Sequence, residues 1–103
     1  MGFIADFRKR KEIDEFARSL AEQVLRRLPA AHLKDRNKLQ AEIEVALGHA
    51  QGFQRKAQLG NFGKSRLVNS LQWALIERGY VPEIAKEIGY QIASRIAASK
   101  PRR

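Results

Sequence analysis

Gly60-Asn61-Phe62-Gly63-Lys64-Ser65-Arg66 brings two glycines, two cations and a hydroxyl into seven consecutive residues. Those are the components of an anion cradle. A helix beginning near Ser65 would present unpaired backbone N–H groups, with Lys64 and Arg66 beside them. The Gly63-Lys64-Ser65 ending does not make a nucleotide-binding loop. That motif places its first glycine at position 58, which is Gln, and it needs a buried strand ahead of it, whereas residues 36–58 are patterned as a helix. The expectation is a Gly-rich hinge over residues 58–66, in which Gly60 and Gly63 turn the chain and Ser65 caps the next helix. A phosphate or carboxylate from a partner would fit there.

The surroundings of the hinge extend that chemistry. Between Glu44 and Glu77 the chain has no acidic residue, while Arg55, Lys56, Lys64 and Arg66 fall inside this window. Gln51, Gln54, Gln58, Asn61, Asn69 and Gln72 are interleaved with Phe53, Phe62 and Trp73. Cations neutralise phosphates, amides read polar edges, and aromatic faces stack on bases. Arg55, Lys56, Lys64, Ser65 and Arg66 are therefore the candidate anion-binding residues. The whole chain carries 20 Lys+Arg against 11 Asp+Glu, a net charge of +9, which favours polyanionic partners.

Other chemistries find little footing. There is no cysteine, so thiolate catalysis, thiolate metal sites and disulfides are excluded. The same absence fits a reducing, cytoplasmic setting. His32 and His49 have no acidic or histidine partner at ligand spacing. The expectation is a non-enzymatic protein with neither metal nor organic cofactor. No apolar run approaches a membrane span, and charges from Asp6 and Arg8 interrupt any signal-peptide core.

The elements that must position these residues read as helices. Over 12–28, Ile13, Phe16, Ala17, Leu20, Val24 and Leu28 form one apolar stripe, stopped by Pro29. The preceding residues read as an apolar and basic lead, with Phe3, Ile4 and Phe7 ahead of Arg8-Lys9-Arg10-Lys11. Asp35 is placed to cap a second helix of about 36–58. Its Leu39, Ile43, Ala46, Ala50, Phe53 and Ala57 follow a heptad, and Gly48 with Gly52 adds a small-residue seam for close packing or self-association. A third helix over 65–78 is apolar on most sides, which places it centrally and puts Trp73 in the core. Gly79 ends it. Pro82 opens a fourth helix, in which Ile84, Ile88, Ile92 and Ile96 recur to about Ser99, before a basic tail at 100–103. Ala85 to Gly89 has the spacing of a DNA-reading helix–turn–helix corner, but the apolar repeat continues without a turn. One continuous helix is expected, with Gly89 at a close helix crossing.

Together these patterns predict a single all-α domain over 1–103, a bundle of about four helices. Nucleic acid is the favoured partner and a membrane is not. A helical protein-interaction module, self-associating through the second helix, is the competing class.

Overall fold

The computed structural model describes residues 2–98, with side chains described for residues 8–97. It is an all-α bundle of four helices: α1 (Gly2–Arg27), α2 (Arg36–Lys56), α3 (Asn61–Glu77) and α4 (Pro82–Ala98). A 3-10 turn, Ala30–His32, joins α1 to α2.

Cross-helix pairs fix the directions. Asp14–Arg66 and Glu22–Arg78 make α1 and α3 run in the same sense. Arg36–Glu87 and Glu44–Arg95 do the same for α2 and α4. Arg27–Glu42 and the stacked Phe16–Phe53 rings make α1 and α2 antiparallel. Around the bundle the order is α1, α3, α4, α2, so the consecutive helices α2 and α3 sit across the diagonal. One buried cluster joins all four, with Ile13, Ala17, Leu20, Ile43, Leu71, Leu75, Ile88, Ile92 and Ile96 at most 2 % exposed.

Three expectations need correction. First, α1 begins at Gly2 rather than at residue 12, so the apolar and basic lead is continuous with the helix. Residues 3–11 contain neither proline nor glycine, and their Ala, Arg and Lys are good helix formers. The charge run interrupts the apolar stripe without interrupting the helix. The side chains of Phe3, Ile4 and Phe7 and the tail at 100–103 lie outside the described residues.

Second, the turn after α2 is shorter than a hinge over 58–66. Gln58 takes the left-handed conformation, φ 54°. Leu59 N–H bonds to Gln54 C=O at 3.0 Å and Gln58 N–H to Arg55 C=O at 3.2 Å, which is a Schellman closure. Gly60 then serves as an extended N-cap, and α3 starts at Asn61. Ser65 is therefore inside α3, a full turn past the cap. Because a residue with Cβ is strained in this region, Gln58→Gly is expected to raise stability by about 0.5–1 kcal/mol. Urea unfolding measures it, and a lowered midpoint would contradict the assignment.

Third, Gly48 and Gly52 make no close helix contact within the chain: both face open space, with nothing near enough to touch an added methyl group. The heptad seam beside them is occupied within the chain: Leu39, Ile43, Ala46 and Ala50 are buried in its own core.

Other expectations hold. The Asp35 carboxylate accepts from Lys38 N–H at 3.2 Å and caps α2. Gly79, φ 110°, closes α3 in a second Schellman motif through Tyr80 N–H to Leu75 C=O at 3.0 Å. Gly89 is buried where α4 crosses α3, and a methyl group there would collide with the Gln72 side chain.

Tyr80 locks this end of the bundle. It is 2 % exposed, and its hydroxyl donates to Leu28 C=O at 2.6 Å, satisfying a carbonyl left over where α1 ends. Tyr80→Phe is expected to cost about 1–2 kcal/mol, because the carbonyl is left unpaired. Burial, reinforced by Glu42, pushes the phenol up to about 12. The folded state resists its ionisation. That stability is complete below the unfolded phenol's value near 10 and drains away as pH rises towards 12. In Tyr80→Phe the steep alkaline loss should flatten. An unchanged alkaline profile would remove Tyr80 as its cause.

Candidate functional site

The parallel and antiparallel pairings decide which cations meet. The start of α1, the end of α2, the start of α3 and the end of α4 all lie at one end of the bundle. Phe16 stacks on Phe53 with ring centroids 4.2 Å apart, which sets the level of α1 against α2. Arg10 then stands about 9 Å beyond that level along α1, and Lys56 about 4.5 Å beyond it along α2. Asp14 meets both Arg66 and Ser70, so the residues one turn before Asp14 stand level with the first turns of α3.

Helical register gives the directions. Lys9 is in line with Ile13 and Phe16, on the stripe that faces the core and α2. Arg10 and Lys11 are in line with Asp14, on the side that faces α3. The α1 stripe thus leaves the core at Ile13 and continues outward as exposed cations. Lys9, Arg10 and Lys11 converge with Arg55, Lys56 and Lys64 on one end of the molecule. None of the six forms an ion pair with another described residue. Among the described residues there, Glu12 is acidic and exposed.

Of the five residues expected from sequence, the structure brings Arg55, Lys56 and Lys64 together here. Lys64 is half-buried and lines a cavity of about 320 Å³ between α3 and α4. Ser65 cannot act as a cap. Its N–H lies beyond the first turn of α3, and the unpaired N–H groups belong to residues 61–63 instead. Arg66 is already engaged. Its guanidinium grips Asp14 through two bonds, 2.8 and 3.1 Å, and Ser70 Oγ donates to the same carboxylate at 2.9 Å. Arg8-Lys9-Arg10-Lys11 was visible as a basic run, but nothing in the sequence placed it beside Lys56 and Lys64. Only the diagonal path from α2 to α3 does so.

The Asp14 cluster has a measurable consequence. The Arg66 hydrogen bonds, helped by Ser70, hold the Asp14 carboxyl below its usual range. Stability from this carboxylate is present above the unfolded value near 3.8 and is lost as pH falls through the folded one. Asp14→Asn should therefore blunt acid unfolding. It should also release Arg66 as a free cation and steepen the salt dependence of polyanion binding by up to about one unit. An unchanged acid profile would contradict the pairing.

Beside the basic end, a groove of about 450 Å³ runs between α1 and α3. Phe62, 89 % exposed, and Trp73, 64 % exposed, stand on its α3 side. Trp73 was expected in the core. The core side of α3 is Leu67, Val68, Leu71, Ala74 and Leu75, and position 73 faces away from that stripe. Neighbouring helices cover α3 only on the α1 and α4 sides.

Among the described residues no helix is long and apolar enough to cross a membrane. The fold and the site define a small four-helix protein with one cationic end and an aromatic groove beside it. No protein-family model, no curated protein and no solved structure matches the chain.

Proposed function

We propose that this chain is a non-enzymatic nucleic-acid-binding protein that holds the phosphate backbone at its basic end. The observation that carries the reading is convergence. Cations from three separate helices, Lys9 to Lys11, Arg55 with Lys56, and Lys64, gather at one end, and none forms an ion pair with a described residue. Away from that end the basic side chains are mixed: Arg18, Arg26, Lys34, Lys38 and Lys86 form no ion pair with a described residue either, but they are spread over the surface rather than gathered. Arg27, Arg36, Arg66, Arg78 and Arg95 each hold a carboxylate across two helices. Within a net charge of +9, what sets the basic end apart is the clustering of its cations. Each phosphate neutralised releases condensed counterions, so such binding weakens steeply with salt.

A fluorescence-anisotropy titration of labelled duplex DNA, single-stranded DNA and RNA at several salt concentrations tests the reading. Sub-micromolar binding to at least one polymer that survives about 150 mM salt is expected. Binding to every polymer that vanishes by that salt would leave the charge as a background effect. The competing reading, a protein-interaction module, is favoured by one observation: the exposure of Phe62 and Trp73 on one helix face.

A further inference from the structure

We propose that the α1/α3 groove is a stacking platform for the unpaired bases of a single-stranded oligonucleotide, which deepens the nucleic-acid reading and rests on it. Phe62, Arg66, Asn69 and Trp73 follow i, i+4, i+7, i+11, so they form a single line along the outer face of α3. Phe62 and Trp73 are about 16 Å apart along the helix axis. Their exposure is unusual for large apolar side chains, and a base offers each a π-face to cover it.

Between the two rings the groove is polar. Arg66 crosses it, pinned by both bonds to Asp14, with Ser70 fixing the same carboxylate from below. The two bonds orient the guanidinium plane, and its charge is paired with the Asp14 carboxylate. What it presents to the groove is a flat face, which stacks on bases as aromatic rings do. Its role thus shifts from neutralising phosphate to stacking. Ser65 and Asn69 supply donors and acceptors to base edges from the same helix. Arg18, one turn after Asp14 on α1, puts a cation on the groove lining to meet phosphates.

The direction follows from charge. Phe62 lies in the first turn of α3, at the level of the basic end, whereas Glu77, one turn beyond Trp73, closes the far end with a carboxylate. The strand enters from the cations and its backbone is repelled past Trp73. A helix-binding protein groove would be apolar along its length. This one alternates ring, guanidinium, amide and ring next to a cationic surface, which complements a polyanion with exposed bases. A duplex keeps its bases stacked on one another and cannot use the platform.

Trp73 is the sole tryptophan, so its fluorescence reports on the groove directly. The full chain is titrated with an oligothymidylate of about 12 nucleotides, within the site sizes common for single strands, and with a duplex of the same length. Saturable quenching by the single strand, and binding of the duplex without quenching, are expected. Phe62→Ala and Trp73→Ala, followed by anisotropy, should each weaken the single strand by roughly 5- to 150-fold while leaving duplex affinity unchanged. Circular dichroism and thermal unfolding confirm that both exposed substitutions leave the fold intact. If both polymers bind but neither variant changes single-strand affinity, the platform is wrong and the basic-end reading stands. Failure of both polymers to bind the unmodified chain overturns the nucleic-acid reading as well. Sedimentation that shows a dimer, abolished by Trp73→Ala, overturns the platform in favour of a second copy of the chain.

Discussion

Replacing Leu75 with alanine is expected to lower the unfolding free energy by about 2–5 kcal/mol, whereas Trp73→Ala is expected to cost under about 1 kcal/mol. The two positions are neighbours on α3, and the larger side chain is the one whose loss matters less. Leu75 is 0 % exposed where α3 meets the common core, so truncation removes buried methyl groups and leaves a cavity. Trp73 points outward and is 64 % exposed, so most of its surface is in water before the change. Urea unfolding followed by circular dichroism gives both values, with an unchanged m-value showing that the midpoint shift is a change in stability. If Trp73→Ala cost as much as Leu75→Ala, α3 would be rotated about its axis and the groove would not exist.

The same pair shows where sequence reasoning loses its grip. The stripes of α1, α2 and α4 alternate cleanly with charges, and their buried residues follow directly from spacing. In α3 the run Leu71 to Ile76 is apolar on nearly every side, so periodicity no longer separates the core face from the outer one. Only the partners, α1 and α4, decide that Ala74 and Leu75 go in and Trp73 stays out. The termini of the helices posed a different problem. Asp35 and Gly79 carry side-chain or conformational signals and were legible. Gln58 carries none, because a glutamine in the left-handed region is disfavoured and tertiary packing of Leu59 imposes it. Two glycines nearby drew the turn towards 60–63, which shifted the start of α3 and misassigned Ser65 as its cap.

The candidate site divides in the same way. Arg55, Lys56 and Lys64 could be singled out because they lie close in sequence and flank a turn. Lys9, Arg10 and Lys11 could not, since their proximity depends on α1 running antiparallel to α2 and parallel to α3. Arg66 looked equivalent to Lys64 in the sequence. Its partner Asp14 lies two helices away in the chain, and no local pattern predicts that pairing.

A variant in which Arg10, Arg55, Lys56 and Lys64 are all replaced by glutamine is expected to bind nucleic acid about 10²- to 10³-fold more weakly at about 150 mM salt. Each side chain stands for one phosphate contact. Four such contacts contribute roughly that factor when counterion release is extrapolated from about 1 M salt, where the effect vanishes. The fold should tolerate the change. None of the four takes part in a cross-helix ion pair among the described residues, and glutamine is nearly as good a helix former as lysine or arginine. Thermal unfolding within a few degrees of the unmodified chain would confirm that affinity, not stability, has changed. Exchange of the paired Arg36 and Arg78 for glutamine makes the comparison: it removes two exposed cross-helix ion pairs, so it should lower stability slightly and leave the salt slope far less changed than the basic-end variant does.

The central claim is that these cations meet phosphate directly, and the slope of log affinity against log salt tests it most directly. Measured on one oligonucleotide for the unmodified chain and for the four-glutamine variant, the slope is expected to become shallower by about three units, since each lost contact removes about 0.7–0.9. A slope that stays the same in the variant, whatever happens to its affinity at a single salt concentration, would contradict the basic end as the phosphate-binding surface.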